Sequence, residues 1–492
     1  MTFASLAFVG FFIIISVAYY ACPPKARWAL LLVASCYFYM AWVPKYILIL
    51  FALILIDYFL AFKIEGSTGK TRRYFLIASI ISNVGILFVF KYFNFFNENV
   101  SALAALIHWN YPISYLKLLL PIGLSFHTFQ SLSYCIEVYK GRWKPERHLG
   151  IYALYVMFFP QLVAGPIERP SHLLPQLKKT VFFDWPTVFS GLRLMGWGFF
   201  KKLVIADRLA VSVDYVYGHV GHVPGPSIAL AIIFFAFQLY ADFSGYTDIA
   251  RGSARVLGID IMRNFDRPYF STSVAEFWRR WHISLSSWFR DYLYYPLAFA
   301  GKRMTKLRLY LSTLITFTVI GLWHGANWTF IIFGALQGSF ILFAIWTENT
   351  RKHLMETVGL AKLKGFLKAW QSFAVFALFA GSCIFFRAPD LKTAFAFLGN
   401  LFTGWHISFS AFMLQYFRQP YDTLGFGRGN LILAFGGIGI LLVLEYLQGR
   451  MPLIDTLKRR PIFLRAFVYT GLILSLIVFN AYVDKQFIYF QF

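Results

Sequence analysis

The amino-acid sequence predicts an all-α, polytopic integral membrane protein, and three observations support this prediction. Hydrophobic residues make up 59% of the 492 residues and charged residues only 14%, whereas soluble domains contain about 25% charged residues. Apolar stretches long enough to cross about 30 Å of hydrocarbon recur along nearly the whole chain. The Lys and Arg residues cluster in short loops between these stretches, as they do in polytopic membrane proteins.

The apolar stretches predict roughly ten to twelve membrane spans by the usual length criterion. Some are shorter than about 17 residues, so these must be tilted, extended by aromatic ends or re-entrant. No hydrophilic domain or internal repeat interrupts the series, so we predict one membrane domain over residues 1–492, with N-terminal helices in 1–115, a core with re-entrant and interfacial helices in 116–346, and C-terminal helices in 347–492. Examples of the apolar stretches are Phe3–Ala21, Tyr46–Phe62, Phe75–Phe90, Ile228–Tyr240, Ile331–Trp346, Leu431–Leu444 and Ala466–Val483.

Loop charge predicts the orientation of the spans, because cytoplasmic loops carry an excess of Lys and Arg. The connection Asn94–Tyr111 holds neither and is expected outside. The stretch Arg387–Arg428 is expected to be a second external connection, with a short amphipathic helix near Lys392–Leu401. Both termini are then expected outside. The loops expected in the cytoplasm are Lys25–Arg27, Lys63–Arg73, Lys140–Arg147, Lys302–Arg308, Arg351–Lys368 and Arg450–Arg465.

The formal net charge of +24 does not indicate nucleic-acid binding, because the basic residues lie in loops rather than in an aromatic-interleaved patch. The four cysteines are scattered without CxxC spacing. The sequence therefore predicts neither a metal site nor a disulfide framework.

Two polar regions do not have the pattern of simple spans. One is Pro166–Lys179 and the other is Asp242–Arg308. Charged or non-helical backbone is tolerated at a membrane only where protein or water covers it, so we interpret both as re-entrant and interfacial helices lining a cavity. Ordinary cytoplasmic loops on the lipid headgroups are the alternative. Within the second region, Glu276–Tyr292 has the pattern of one aromatic-rich interfacial helix that carries His282.

A second histidine, His324, follows the apolar arm Leu309–Leu322. These 14 residues span only about 21 Å as a helix, so from a cytoplasmic loop they would not clear the hydrocarbon core. His324 is therefore expected inside the membrane, beside Gly325, which would permit close approach of another group. An ionisable residue in that position suggests a functional site. A histidine hydrogen-bonded between helices is the structural alternative.

A buried neutral imidazole can accept the proton of an alcohol that attacks a carbonyl group. Desolvation lowers the pKa of histidine and keeps the base form available near neutral pH. A second histidine, or nearby indole and hydroxyl donors, could orient the acceptor or stabilise an oxyanion. The sequence contains no GxSxG element, so direct transfer is favoured over a covalent acyl-enzyme.

Five strings follow one another along the chain: Gly123–Tyr139, Phe159–Pro170, Gln238–Gly258, Asn264–Pro296 and Gly321–Trp328. Together with a late Phe385–Ala388 element, they resemble the membrane-bound O-acyltransferase family, in particular its bacterial branch of alginate and peptidoglycan O-acetylases. The protein of teichoic-acid D-alanylation is a more distant likeness. The strings run in order over roughly two-thirds of the chain, and such a combination is highly specific.

The resemblance implies that His324 is the catalytic histidine and His282 a second active-site histidine, in a ring of helices around a tunnel. It also implies a cytoplasmic acyl thioester as donor substrate, with acetyl-CoA expected, no bound cofactor and no metal. The acyl group would reach an extracytoplasmic polysaccharide such as alginate, another exopolysaccharide or peptidoglycan, directly or through a periplasmic acetyltransferase partner. The expected location is the bacterial inner membrane, with lipids as neighbours.

Other residues in the matching strings are expected to line the substrate pocket. Arg279 and Arg280 could meet the phosphates of coenzyme A or extend to lipid headgroups. Glu168 and Arg169 could pair with each other, close a loop over the tunnel or be ordinary interfacial charges. The expected pocket residues are Asp242, Ser244, Tyr246, Asp248, Arg279, Arg280, Trp281, Trp323 and Asn327.

Two other functions remain open from the sequence. The two histidines with Asp242 and Asp248 could form the pathway of a proton-coupled transporter, although the chain shows no related halves. A non-catalytic scaffold of a polysaccharide export complex is the other alternative.

Overall fold

The computed structural model describes residues 1–301, 305–405, 428–450, 460–479 and 487–488. These residues form helices joined by turns and loops and contain no β-strand, which confirms the predicted all-α fold. Three of the predicted loops, Lys302–Arg308, Arg387–Arg428 and Arg450–Arg465, lie partly outside the described residues, as does the C-terminal residue.

The helices are numbered in chain order. A π-helical turn over Phe88–Tyr92 joins α4 to α5, and a second one over Phe200–Ala206 joins α9 to α10. The α-helices are α1 (Leu6–Ala21), α2 (Arg27–Met40), α3 (Ile47–Glu65), α4 (Gly69–Leu87), α5 (Phe93–Leu106), α6 (Leu124–Tyr139), α7 (Leu149–Met157), α8 (Pro170–Lys178), α9 (Trp185–Phe199), α10 (Asp207–Gly218), α11 (Gly225–Val256), α12 (Val274–Arg280), α13 (Ile283–Phe289), α14 (Tyr295–Ala298), α15 (Lys306–His324), α16 (Trp328–Trp346), α17 (Glu348–Thr357), α18 (Lys364–Arg387), α19 (Leu391–Asn400), α20 (Arg428–Gln448) and α21 (Ile462–Val478).

Seven helical segments of the described chain are long and apolar enough to cross a membrane. Two shorter apolar helices, α1 and α21, accompany them. The predicted number of spans stays a prediction, because it depends on how many shorter or more polar helices also cross. The seven segments are Pro44–Glu65, Gly69–Leu106, Gly225–Val256, Lys306–His324, Trp328–Trp346, Lys364–Arg387 and Leu431–Gln448.

The chain divides into two compact units by its internal contacts. Unit 1 comprises Met1–Met195 and Thr247–Arg263, and unit 2 comprises Gly196–Tyr246 and the described residues from Asn264 onwards. The predicted subdivision at residues 115 and 346 stays a prediction.

Unit 1 has a polar centre within its apolar helix packing. Asp57 of α3 is fully buried. It accepts hydrogen bonds from the Ser79 hydroxyl at 2.6 Å and from the Asn83 amide at 2.8 Å, both on α4. A buried polar group is costly unless it is hydrogen-bonded, so these bonds fix the register of α4 against α3.

Basic loops of unit 1 meet one another. The Arg147 guanidinium lies 2.7 Å from the Glu65 carboxylate, and Arg72 donates a hydrogen bond to the Val138 carbonyl at 3.0 Å. The loops after α3 and α6 were both predicted to be cytoplasmic, and these contacts place them at the same end of unit 1. Which side of the membrane this end faces stays a prediction.

Unit 2 contains the helical hairpin of α15 and α16. Gly321 and Gly334 face each other across it: a Cβ atom on Gly321 would lie 2.1 Å from the Phe330 carbonyl oxygen and 3.0 Å from the Gly334 Cα. Only glycine allows the two backbones to approach so closely. Asn327 begins α16 as its N-cap, because its side chain accepts from the Thr329 amide at 3.0 Å.

The prediction of a polar re-entrant region beginning at Asp242 is wrong for its first part. Helix α11 continues without a break from Gly225 to Val256. Its most apolar 18-residue window is 83% buried inside the protein. Because neighbouring helices rather than lipid surround α11, polar side chains along it are tolerated, and the change in composition at Asp242 does not mark a change in structure.

Candidate active site

His324 is the last residue of α15 and lies in the turn before α16. It is 6% exposed. The Trp323 ring centroid lies 4.9 Å and the Phe386 centroid 5.2 Å from that of its imidazole. The close approach expected at Gly325 is confirmed, because a Cβ there would lie 2.1 Å from the Phe330 ring. An aromatic wall therefore encloses the imidazole at a helix break.

His282 lies in a second break, and the predicted single helix over Glu276–Tyr292 is wrong. Helix α12 ends before Trp281, and His282 takes a left-handed conformation (φ 44°, ψ 54°) before α13 begins. The reason is a tertiary contact. The Asn264 carbonyl accepts from the Ile283 amide at 2.9 Å, and its side-chain oxygen accepts from the Ser284 hydroxyl at 2.7 Å. Positive φ is uncommon outside glycine and concentrates at functional sites.

The two histidines belong to one buried cluster of unit 2. His282 is 0% exposed, its ring meets the Phe243 ring edge-on at 4.6 Å, and the Trp323 ring centroid lies 6.1 Å away. Burial, together with electrostatic interaction with His324, lowers the pKa of His282 well below its ordinary value. His282 is therefore a neutral imidazole near neutral pH, and Trp323 contacts both histidine rings.

Asp242 occupies a buried ion-pair network. The Lys202 ammonium lies 2.8 Å from the Asp242 carboxylate and 2.7 Å from that of Asp207. The other Asp242 oxygen accepts from the Ile488 amide at 2.7 Å. The sequence analysis missed Lys202. A lysine pair at positions 201–202 inside an apolar helical stretch was the signal that could have found it, because such charges need a buried partner.

The C-terminal residues Phe487 and Ile488 also join this cluster. They are 3% and 2% exposed. Phe487 stacks on Tyr246 with centroids 4.4 Å apart and lies 5.8 Å from Phe243, the residue that touches His282. The sequence analysis missed this segment as well, although the concentration of aromatic residues after the last apolar stretch was a signal.

The predicted pocket residues on α12 and beside it separate into buried and surface groups. Trp281 is 3% exposed and stacks on Phe277 with centroids 5.4 Å apart. Arg280 lies 2.6 Å from Glu276, whereas Arg279 is exposed. On α11, Ser244 is buried at 1% exposure. Their roles toward a substrate stay predictions.

Two predicted pocket residues have local structural partners. Asp248 belongs to unit 1, where its carboxylate lies 3.8 Å from Arg251. Asn327 caps α16 and donates a hydrogen bond to the Pro389 carbonyl at 2.8 Å. The sequence pattern could not distinguish a cap from a ligand-binding amide.

Glu168 is held within unit 1 and pairs with His172. Its carboxylate is 0% exposed and lies 2.6 Å from the His172 Nδ1, and it also accepts from the Met262 amide at 2.5 Å. Burial raises the pKa of Glu168 despite these hydrogen bonds, and the bond to Glu168 raises the pKa of His172. Of the three alternatives for Glu168, ordinary interfacial charge is excluded by its burial.

The cluster of His282, Trp323 and His324 has the properties needed for general base catalysis. A buried neutral imidazole accepts a proton without first losing one, and a second imidazole can donate or accept beside it. In the described part of the chain, no three His, Cys, Asp or Glu side chains are arranged to hold a metal ion.

Comparison with known proteins identifies the family of the chain. A sequence model of the membrane-bound O-acyltransferase family matches residues 148–388, which include both histidines. The peptidoglycan O-acetyltransferase of Helicobacter pylori is 34% identical, over 81% of this chain and 77% of the relative.

Other bacterial envelope proteins are also similar. A protein of Pseudomonas putida named "probable alginate O-acetylase AlgI" is 32% identical over the full length of both chains. The teichoic acid D-alanyltransferase of Bacillus subtilis is 27% identical, over 46% of this chain and 60% of the relative. The resemblance seen in the motifs is thus confirmed, and the chain is a membrane acyltransferase that belongs to the membrane-bound O-acyltransferase family.

Proposed function

We propose that this protein transfers an acetyl group from acetyl-CoA, bound from the cytoplasm, for O-acetylation of an extracytoplasmic polysaccharide. The transfer occurs in the bacterial inner membrane, and the group reaches the glycan directly or through a periplasmic acetyltransferase. The names of relatives that act on peptidoglycan and alginate support this acceptor class. The single observation that carries the proposal is the buried His324, which lies with the neutral His282 in one aromatic cluster.

His324 acts as the general base in the proposed step. Its imidazole takes the proton of the acceptor hydroxyl as the oxygen attacks the thioester carbonyl. The tetrahedral intermediate collapses, the C–S bond breaks, and the leaving thiolate recovers the proton as a thiol. The new C–O bond makes an ester, so atoms and charge balance. No oxidant, metal or covalent acyl-enzyme is needed.

His282 and Trp323 complete the proposed machinery. His282 is neutral, so it can orient the acceptor by one ring nitrogen and donate from the other. Trp323 contacts both rings and helps to keep water from the imidazoles. The desolvated setting strengthens each hydrogen bond to the developing oxyanion. The remaining residues of unit 2 that we propose for the pocket are Asp242, Ser244, Tyr246, Arg279, Arg280, Trp281 and Asn327.

The contacts give less support to a proton-coupled transporter. That hypothesis needs carboxylates able to exchange protons along a path. Asp242 is ion-paired with Lys202, and the Asp248 carboxylate lies 3.8 Å from Arg251, so each carboxylate already has a local cationic partner. A non-catalytic scaffold is tested together with the catalytic role by the following substitution.

His324→Ala is the decisive variant. We expect polysaccharide acetylation to fall by at least about 100-fold, in line with the 10²–10⁴-fold contribution of a positioned base, while the protein still inserts in the membrane. Mass analysis of the native glycan and single-turnover assays with labelled acetyl-CoA in vesicles measure this loss. The matched control is His353→Ala, which removes an exposed histidine of α17.

Both variants must be compared at equal amounts of membrane-inserted protein. Unchanged glycan acetylation in His324→Ala would eliminate the catalytic role and leave the scaffold hypothesis. Activity of the wild-type protein in vesicles with another acyl donor, but not with acetyl-CoA, would instead reject the donor assignment.

A further inference from the structure

Unit 1 contains a cavity of about 270 Å³ outside the histidine cluster. It lies between the end of α1, the start of α2, and the loops that begin α7 and end α8. One water molecule occupies about 30 Å³ of liquid, so a polar group considerably larger than water fits here. The proposed acyl transfer does not use this cavity.

The charge of the cavity wall is strongly positive. Lys25, Arg27, Lys178 and Lys179 line it, and none of the described lining residues is acidic. Lys178 is partly neutralised, because its ammonium lies 2.5 Å from the carboxylate of Glu146. The other three cations make no ion pair within the described part of the chain, so an excess of positive charge faces the cavity.

Arg27 is rigidly placed in this wall. Its Nε donates to the Cys22 carbonyl at 3.1 Å and its Nη1 to the Val181 carbonyl at 2.5 Å. The guanidinium also lies 4.8 Å from the Tyr19 ring centroid. Because the side chain is already ordered, binding an anion there costs little conformational entropy.

Aromatic residues place the cavity at a membrane–water boundary. Tyr19 and Trp28 line it, and these residue types concentrate at the headgroup level of membranes. Trp28 is fixed by Gly150, where a Cβ atom would lie 2.2 Å from its ring, and by the edge of the His148 ring at 4.6 Å.

An apolar stripe on α1 runs toward the end of the helix at which the cavity lies. Leu6, Ile13 and Val17 are 89%, 57% and 67% exposed, and their spacing puts them on one face of the helix. Gly10 lies on that face with open space beside it. The helix ends at Ala21, directly before the cavity residues Pro24 and Lys25.

We propose that this cavity binds the phosphate of an anionic phospholipid whose acyl chains lie along the α1 stripe. The excess of Lys and Arg selects an anionic headgroup over a zwitterionic one, because basic residues near a membrane surface attract negatively charged lipids. The stripe provides the apolar area that a soluble phosphate could not use. Since loop charge assigns Lys25 and Arg27 to the cytoplasm, the lipid belongs to the cytoplasmic leaflet.

The test uses the full-length protein purified in a neutral detergent, with lipid binding followed by native mass spectrometry. Long-chain phosphatidylglycerol is expected to bind at least 10-fold more tightly than long-chain phosphatidylcholine. The Lys25→Gln/Lys179→Gln variant is expected to lose that preference. The matched control, Lys63→Gln/Lys70→Gln, removes the same charge from exposed lysines outside the cavity and is expected to retain it.

Two further measurements identify the source of the phosphate. Phosphatidylglycerol with six-carbon chains should bind more weakly than the long-chain lipid, because it covers less of the stripe, and equal binding overturns the role assigned to the stripe. Inorganic phosphate and coenzyme A, each at roughly 1,000-fold excess over the lipid, should leave the bound lipid in place. Displacement by either compound overturns the lipid assignment in favour of a soluble phosphate.

Folding of the variants is checked separately. Each must elute as a single species from gel filtration with the melting temperature of the wild type. If Lys25→Gln/Lys179→Gln does not fold, salt titration of the wild type decides: lipid preference that is unchanged between low and high salt overturns the electrostatic selection. Equal binding of the two headgroups by the wild type overturns it as well.

Discussion

His282 in unit 2 and His172 in unit 1 lie in environments that shift their pKa values in opposite directions. His282 in unit 2 is fully buried among aromatic rings, and burial lowers its pKa well below the ordinary value. His172 in unit 1 is half-buried beside the Glu168 carboxylate, whose hydrogen bond raises its pKa. The imidazole is therefore kept neutral at His282 in unit 2 and is stabilised as a cation at His172 in unit 1.

The difference shows which region is suited to general base chemistry. The imidazoles of a general base cluster must carry no extra proton before the reaction. Of the two histidines compared, only His282, the proposed partner of the base His324, lies in an apolar, desolvated environment that keeps it neutral near neutral pH. His172 holds its proton more firmly because it is hydrogen-bonded to Glu168. The Glu168 carboxylate also accepts a hydrogen bond from the Met262 amide and so fixes the backbone there. We interpret that pair as structural and the cluster around His282 as chemical.

The largest expected effect is the loss of activity in His282→Gln. Gln retains a hydrogen-bonding side chain but cannot exchange a proton, so the acetylation rate should fall about 10²–10⁴-fold if His282 works with His324. His172→Gln is the matched substitution in unit 1 and should stay within a few-fold of the wild type. Vesicle assays of acetyl transfer measure both rates.

A structural role for His282 would give a different kinetic result. If the imidazole only supports packing, His282→Gln should lower the melting temperature, and the activity per folded molecule should be retained. Equal losses of acetylation activity in His282→Gln and His172→Gln would show that the two regions do not differ in their role. The activities of the two variants are therefore compared per folded molecule and not per amount of protein expressed.

The second largest effect concerns the buried charges of unit 2. Lys202→Met leaves Asp207 and Asp242 buried without their ammonium partner, and breaking a buried pair in this way costs about 3–5 kcal/mol. The melting temperature in detergent should fall clearly. Lys352→Met, which removes an exposed partner of Glu348 at 2.7 Å, is the control and should leave it unchanged.

Adding Asp242→Asn to Lys202→Met should restore part of the lost stability, because one buried negative charge is then removed. A double variant as unstable as Lys202→Met would show that the packing of the lysine stem, rather than its charge, stabilises this part of unit 2. The cycle also separates Asp242 from a donor-binding role, because acetyl-CoA saturation can be measured in the rescued protein.

Much of the fold could be predicted because the length of an apolar stretch is a local property of the sequence. The hairpin around His324 follows from two apolar arms interrupted by a short polar string, and the helix breaks where the sequence changes. The continuation of α11 beyond Asp242 could not be predicted, because it depends on which helices cover the polar side chains. The break at His282 depends on Asn264, which is distant in sequence.

The site was predictable only in part, for a similar reason. His324 was prominent because an ionisable residue in an apolar stretch is unusual. Lys202 and Phe487 join the site through tertiary contacts that no local pattern contains. For Asn327 the local pattern indicated a pocket residue, because a matching string contains it. In the structure its side chain instead caps α16 and bonds to the Pro389 carbonyl.

The smallest expected effect is the opposite pH dependence of the two histidines. The raised pKa of His172 means that its contribution to stability is present below its ordinary pKa of about 6.5 and is lost as pH rises through the folded-state value. The lowered pKa of His282 means that its contribution is present above about 6.5 and is lost as pH falls toward the folded-state value. These signs follow from proton linkage.

Melting temperatures from pH 5 to 9 of the wild type, His172→Gln and His282→Gln test these signs (a range set by the ordinary histidine pKa of about 6.5). The deficit of His172→Gln should be no more than about 1 kcal/mol, because the ring is partly solvated, and it should shrink as pH rises. The deficit of His282→Gln should shrink as pH falls. Parallel curves for both variants would mean that the two environments do not hold their protons differently, and the assignment of base chemistry to unit 2 would lose its electrostatic basis.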